Sequence, residues 1–182
     1  MTDFIGRITG AAKLNVEIYE EVEADTSATG QAMGVVCLSS LAGGVGMMGA
    51  LGTPNLVDLL LSVIFALLFW VVWAFLNYFI GTRVLPEPQT RADHGELLRT
   101  MGFAQAPGLI RVIGIVPGFG IGVSQVGTLV MVGIGIWSLV TMVVAVRQAL
   151  DYTSTFRAAG VCLVGWLSSF LIYVFLLRLF FF

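Results

Sequence analysis

Arg111 stands in the stretch APGLIRVIGIVPGFG, residues 106–120, which is otherwise apolar and broken by two prolines. Arginine does not release its proton, so a charge placed there must find an acceptor: a carboxylate, an amide, a freed backbone carbonyl or a phosphate. Few groups in the apolar runs can answer it. Asp58 opens the second run and is the one carboxylate within them, while Gln105 and Gln125 carry amides. Pro107 has no N–H to donate to the preceding turn, which releases a carbonyl and predicts a kink near residues 103–107. The expectation is a buried, hydrogen-bonded Arg111, with Asp58 or a bridging water as first partner. A lipid phosphate or an acidic group of a partner protein is the alternative, and a transport role the third. Ser124 and Thr128 would then join Arg111, Gln105 and Gln125 along a path.

Other chemistry finds no constellation. His94 is the single histidine and falls in a polar loop, whereas haem ligation inside an apolar bundle normally asks for a histidine there. Cys37 and Cys162 are far apart, each inside an apolar run, with no second ligand pair for a metal. There is no zinc-protease motif, no Ser/His arrangement and no phosphate-binding glycine loop after a strand. No basic patch interleaves with aromatics, so nucleic acid is not an expected partner. The expectation is a protein without catalysis, cofactor or metal.

The elements that would position these residues follow from hydropathy. Hydrophobic residues make up 58% of the 182 and charged ones 11%, against about 25% charged in a soluble domain. Mean hydropathy is +0.96. The class is all-α and integral to a membrane. Runs near the ~20 residues that cross a bilayer occur at 31–50, 58–80, 101–118, 121–146 and 158–181. They predict a bundle of five transmembrane helices over residues 31–182, preceded by a cytoplasmic segment, residues 1–30. The third run is short, proline-bearing and charged, which raises a re-entrant segment as the alternative. Charge favours five full spans. With the N-terminus in the cytoplasm, Arg7, Lys13, Arg83, Arg91, Arg99, Arg147 and Arg157 all lie inside, seven of the nine basic residues, as the positive-inside rule expects. The C-terminus is then outside. Residues 1–30 hold no continuous apolar core, so the first span is expected to act as its own uncleaved insertion signal.

Residues 3–22 read as an interfacial helix with Phe4, Ile5, Ile8, Ala11, Ala12 and Asn15 on one stripe and Arg7 and Lys13 off it. The acidic stretch EIYEEVEAD follows, and Asp25 or Thr26 is placed to cap the first span. Asp93 is placed to cap a short amphipathic helix leading into the third. Small residues mark helix contacts: Gly43, Gly44, Gly46 and Gly49 on the first span, Gly30 with Gly34, and Gly118 with Gly122. The second span, with LLFWVVWAFLNYF, is bulky on all sides. That predicts a place at the edge, facing lipid or a partner protein.

In GELLRTMGFAQAPGLIRVIGIVP, an amphipathic lead, the pair Gly102-Phe103 and then Pro107 resemble the core of the Yip family (Ypt-interacting protein membrane domain), with Phe103 where the family has tyrosine. EIYEEVEADTSATGQAMGVV resembles the segment that prokaryotic members carry before their first span. WSLVTMVVAVRQALDYTSTFRAAGVCLVGWL resembles the fourth and fifth spans. The resemblance covers roughly residues 15–180. It implies five spans, a cytoplasmic N-terminus and, for a prokaryotic-type member, the inner membrane. Eukaryotic members bind small GTPases through an Asp-Leu-Tyr-Gly-Pro motif, which this chain lacks, and that speaks against GTPase binding. The function implied is a non-enzymatic membrane scaffold or organising protein, whose partners are membrane lipids and other membrane proteins. Two rivals stand beside it. One is an accessory subunit of a respiratory or photosynthetic complex, docking through the second span and the tail FLLRLFFF. The other is a small transporter or channel.

Overall fold

The structure is a computed structural model and describes residues 2–48, 52, 55–120 and 122–181. Every regular element among them is helical: α1 (Phe4–Ala12), α2 (Val16–Ala24), α3 (Ala28–Gly46), α4 (Leu56–Phe79, ending in a π turn Ile80–Val84), α5 (His94–Phe103), a 3₁₀ stretch (Ala106–Ile115), α6 (Gln125–Ala149) and α7 (Thr155–Phe181). Four helices are long and apolar enough to cross a membrane: Ala28–Gly46, Leu56–Val84, Gln125–Ala149 and Thr155–Ile172. This is the signature of a multi-pass membrane protein.

The third expected span is the exception. Its α-helix stops at Phe103, a turn covers Ala104 and Gln105, and a 3₁₀ stretch continues to Ile115. The expected kink at Pro107 is therefore a full change of helix type. The cause is local. An α-helix through this point would need an N–H at residue 107 and would press the proline ring on the Phe103 carbonyl. The chain tightens instead, with Gly108 N–H donating to Gln105 C=O at 2.9 Å. In a 3₁₀ register the carbonyl of Ala104 would be served by residue 107, which is proline. It is reached from α6 instead, where the Thr141 hydroxyl lies 2.8 Å from it and shares its one proton between this carbonyl and those of Trp137 and Ser138 in its own helix, at 3.2 and 2.9 Å.

Close approaches fix the directions of the elements. Gly102 sits against Ala32, Gly108 against Ser39, and Gly114 against Gly46. From Gly102 to Gly114 the segment therefore runs parallel to α3. Leu59 meets Gly44, and Ser40 donates to Ser62, so α4 runs antiparallel to α3. Met131 meets Gly114 and Thr141 meets Ala104, so α6 returns antiparallel to the 3₁₀ segment. Gly165 packs on Asn77, and α7 runs antiparallel to α4. One end of the bundle collects the start of α3, the π turn, the start of α5, the end of α6 and the start of α7. The opposite end holds the end of α3 and the starts of α4 and α6.

The core is concentrated at the first of these ends, where α1 and α2 complete it. The single helix expected over 3–22 is two. Leu14 takes a left-handed φ of +62° and Asn15 caps α2 with its side chain on Glu17 N–H. Helix α1 lies across the bundle: Phe4 stacks edge-on against Phe103 at 6.5 Å, and the Ala12 carbonyl accepts Trp137 Nε1 at 2.8 Å. Its inward face is Phe4, Arg7, Ile8, Ala11 and Ala12, with Arg7 buried and Ile5 turned outward, the reverse of the sequence reading for both. Arg7 goes inward because acidic partners wait there.

Helix α4 buries a stripe of Trp70, Trp73, Ala74 and Asn77 at helical spacing and exposes Phe65, Leu68, Phe69, Val72 and Phe75. It is an edge helix, as its bulk predicts. Gly49 lies outside the described residues, as do the side chains of FLLRLFFF apart from Arg178.

Candidate functional site

Three charged side chains among the described residues are buried, and each is held. The Arg7 guanidinium donates to Glu21 Oε1 (2.9 and 3.2 Å), Asp25 Oδ2 (2.7 Å) and Gln31 Oε1 (3.0 Å). This clasp joins α1, α2 and the start of α3. Hydrogen bonds from Thr2 and from Arg7 hold the Glu21 carboxyl down at about 2. Asp25 also accepts from Ser27 N–H at 3.0 Å, one residue before α3 begins, so it orders the helix entry without capping the helix itself. Arg99 of α5 donates through Nε to the Val22 and Glu23 carbonyls, both at 3.0 Å, and through Nη2 again to Glu23. It thereby satisfies the open carbonyl end of α2, where a cation is electrostatically favoured. Glu87 accepts from Thr153 N–H and hydroxyl at 2.9 Å and faces Arg157 Nε at 3.7 Å, tying the loop after α4 to the turn before α7. Tyr152 closes the same corner with a hydroxyl 2.7 Å from Leu85 C=O. Asp93 caps α5 in a full capping box with Glu96, as its position predicts.

A recess of about 450 Å³ opens beside the clasp, lined by Glu20, Glu23, Glu96, Gln148, Asp151 and Tyr152. Burial, then the neighbouring carboxylates Glu96, Asp151 and Glu20, push the Glu23 carboxyl up to about 7, with Arg99 opposing them. Among the described residues no three His, Cys, Asp or Glu side chains are placed to hold a metal ion. Cys37 and Cys162 are free thiols.

The residues singled out in the sequence are dispersed. Arg111 sits at the opposite end, beside the last turn of α3, half-buried, and lines a cleft of about 260 Å³ with Gly43, Gly46, Met47 and Met131. It does not meet Asp58, which is exposed in the first turn of α4. The two helices place their side chains on different faces, and only packing decides that. Gln105 is half-buried and Gln125 exposed, and among the described residues neither amide has a side-chain hydrogen bond. Ser124 and Thr128 hold the start of α6: Ser124 accepts Gly127 N–H at 2.9 Å and donates to Gly118 C=O, and Thr128 accepts Gly122 N–H at 3.0 Å. Gly118 and Gly122 are turn residues at φ +88° and +75° with open space around them, and not a packing face.

Gly43, Gly44 and Gly46 do form the contact side of α3, unequally. A β-carbon at Gly46 would strike the backbone carbonyl of Arg111. At Gly44 it would meet the tip of Leu59 at 2.8 Å, and at Gly43 only Arg111 Cδ at 3.9 Å.

The buried arginine that joins α1, α2 and the start of α3 is Arg7, whose place off the apolar stripe of residues 3–22 predicts an outward side chain. The signal in the sequence is the acidic pair Glu21 and Asp25, 14 and 18 residues further along the chain. Compared with protein-family models, curated proteins and solved structures, the chain finds no match.

Proposed function

We propose that the protein is a non-enzymatic integral membrane scaffold with five passages, the third being the α5–3₁₀ segment, and that it is a prokaryotic-type relative of the Yip family. One observation carries this reading. Each buried charge (Arg7, Arg99 and Glu87) is committed to a backbone group or fixed partner that ties separate elements together. The result is a rigid polar platform at one end of an apolar bundle, suited to holding neighbours in place. Support for the third passage comes from its parallel course beside α3, from Gly102 at Ala32 to Gly114 at Gly46. From Gly102 onward, the end of α5, the turn and the 3₁₀ residues at ~2.0 Å each give a reach of roughly 25 Å, a little under the ~30 Å apolar core of a bilayer.

The orientation follows from charge. Arg83, Arg91, Arg99, Arg147 and Arg157 belong to elements gathered at the platform end, and Arg7 is clasped there. The positive-inside rule puts that end in the cytoplasm and the C-terminus outside. A second reading, an accessory subunit of a larger membrane complex, is favoured by the outward row of Phe65, Leu68, Phe69, Val72 and Phe75 on α4.

Two measurements test these readings. Single cysteines at Arg91 and at a residue appended to the C-terminus, placed in a chain lacking Cys37 and Cys162, are expected to label from opposite sides. Labelling of both from the cytoplasm rules out five passages. Purification at native expression in mild detergent separates the roles. Fixed stoichiometry with the subunits of one enzyme complex selects the accessory subunit, and a free-standing or self-associated chain selects the scaffold.

A further inference from the structure

Arg111 is half-buried at the edge of the bundle and lines a cleft of about 260 Å³ whose other walls are Gly43, Gly46, Met47 and Met131. Among the described residues no carboxylate comes within 4 Å of its guanidinium and no acceptor hydrogen-bonds it; Arg7 and Arg157 have the ion pairs. The residues outside the described set contain no Asp or Glu. No acidic side chain of this chain is therefore left to neutralise Arg111, and arginine stays ionised.

Depth decides what can. Arg111 packs beside Gly43 and Gly46 in the last turn of α3. Gly44 at this level meets Leu59, one turn into α4, where Asp58 is exposed. Met131, which also lines the cleft, is seven residues from Ser124 at the start of α6, about 10 Å of helix rise. The guanidinium carbon turns back toward Gly108, at the level of Ser39 and so inside the last turn of α3, which puts the charge below the end of the bundle, where a phosphate reaches it only by entering the cleft. Around it the protein turns apolar side chains outward: Met47, Val112 and Ile115 are 45%, 43% and 47% exposed. A charge under the headgroups, with small-residue walls beside it and apolar side chains around it, suits a phosphate carrying acyl chains better than a free anion.

We propose that the Arg111 cleft binds the phosphate of an anionic phospholipid in the leaflet at the α3 C-terminal end, with the acyl chains along the outward face of the 3₁₀ stretch. This rests on the multi-pass placement alone and is independent of the scaffold role.

The test uses the full chain purified in mild detergent. Native mass spectrometry counts bound phosphatidylglycerol against phosphatidylcholine. The wild type is expected to retain one phosphatidylglycerol about tenfold more tightly than phosphatidylcholine, whose phosphate accepts the same hydrogen bond but carries a choline cation that offsets its charge beside the arginine. Arg111→Gln is expected to abolish the preference. Gly43→Leu provides a second arm that keeps the charge. A β-carbon there meets nothing nearer than Arg111 Cδ, so leucine should fill the cleft without unfolding the bundle and displace the lipid. Where Arg111→Gln does not give a monodisperse protein by gel filtration, the leucine variant decides. An undiminished phosphatidylglycerol preference in either folded variant overturns the proposal. Equal retention of both lipids by the wild type overturns it too. So does full competition by inorganic phosphate at millimolar concentration, which would make the cleft a free-anion site, or a stable dimer that crosslinks through position 47, which would mean that a second copy covers it.

Discussion

Replacing Thr141 by valine keeps the shape of the side chain and deletes one hydroxyl. That hydroxyl serves the Ala104 carbonyl at 2.8 Å, a group that Pro107 has deprived of its own-segment partner. Thr141 and Ala104 are both fully buried, so water cannot replace the lost donor. An unsatisfied buried carbonyl costs about 1–3 kcal/mol, while interhelical hydrogen bonds in membrane bundles average about 0.6 and reach about 1.7 kcal/mol. The expected loss for Thr141→Val is therefore about 1–2 kcal/mol.

Titration of mixed micelles with a denaturing detergent, followed by the fluorescence of the four tryptophans, measures it. The cause is isolated by repeating the change in a Pro107→Ala background. Alanine restores an N–H at 107 that can serve the Ala104 carbonyl, and the cost of Thr141→Val should fall by about 1 kcal/mol. Ser138→Ala serves as control, because Ser138 bonds only its own helix, at Ile134 C=O, and should change stability by less than about 0.5 kcal/mol. An equal cost for Thr141→Val in both backgrounds, or none in the wild type, would refute the argument that α6 repairs the proline break.

On α3, Gly46→Ala should destabilise by about 3 kcal/mol because its β-carbon runs into the Arg111 backbone, which cannot swing aside, whereas Gly44→Ala should cost under about 1 kcal/mol because the tip of Leu59 can; equal losses in the same titration would count against the close packing of α3 on the 3₁₀ stretch. The Glu23 carboxyl, raised to about 7 in the fold from an unfolded value of 4.5, keeps its proton in the folded state while the unfolded chain has lost it. Stability should therefore fall as pH rises from about 4.5 to about 7 and then level off, and Glu23→Gln should remove that fall, read from thermal melts at pH 5 and pH 8. Glu21, lowered to about 2, acts in the opposite sense: stability should fall as pH drops below about 4.5, and Glu21→Gln should lower stability at neutral pH and flatten that acid loss.

Composition and run length are enough to place the chain among multi-pass membrane proteins, because hydropathy is an additive property of neighbouring residues. The sequence also marked the four apolar helices, the Asp93 cap, the edge position of α4 and the break at Pro107, each a matter of local composition or of one residue's own stereochemistry. It did not determine what happens after the break, since a proline removes a donor without saying who replaces it; Thr141, 37 residues further along, is brought there only by the antiparallel return of α6. Nor did it distinguish the two arginines. A helical stripe records which side chains are apolar, and Arg7 breaks the stripe of α1 at the place where the fold supplies Glu21, Asp25 and Gln31, from three separate turns of chain, to bury it. Arg111 and Asp58, opposite in sign and plausible as a pair in one dimension, point from different faces of different helices. Whether two charges meet is fixed by distances of a few ångströms between elements, and tertiary packing alone sets those distances.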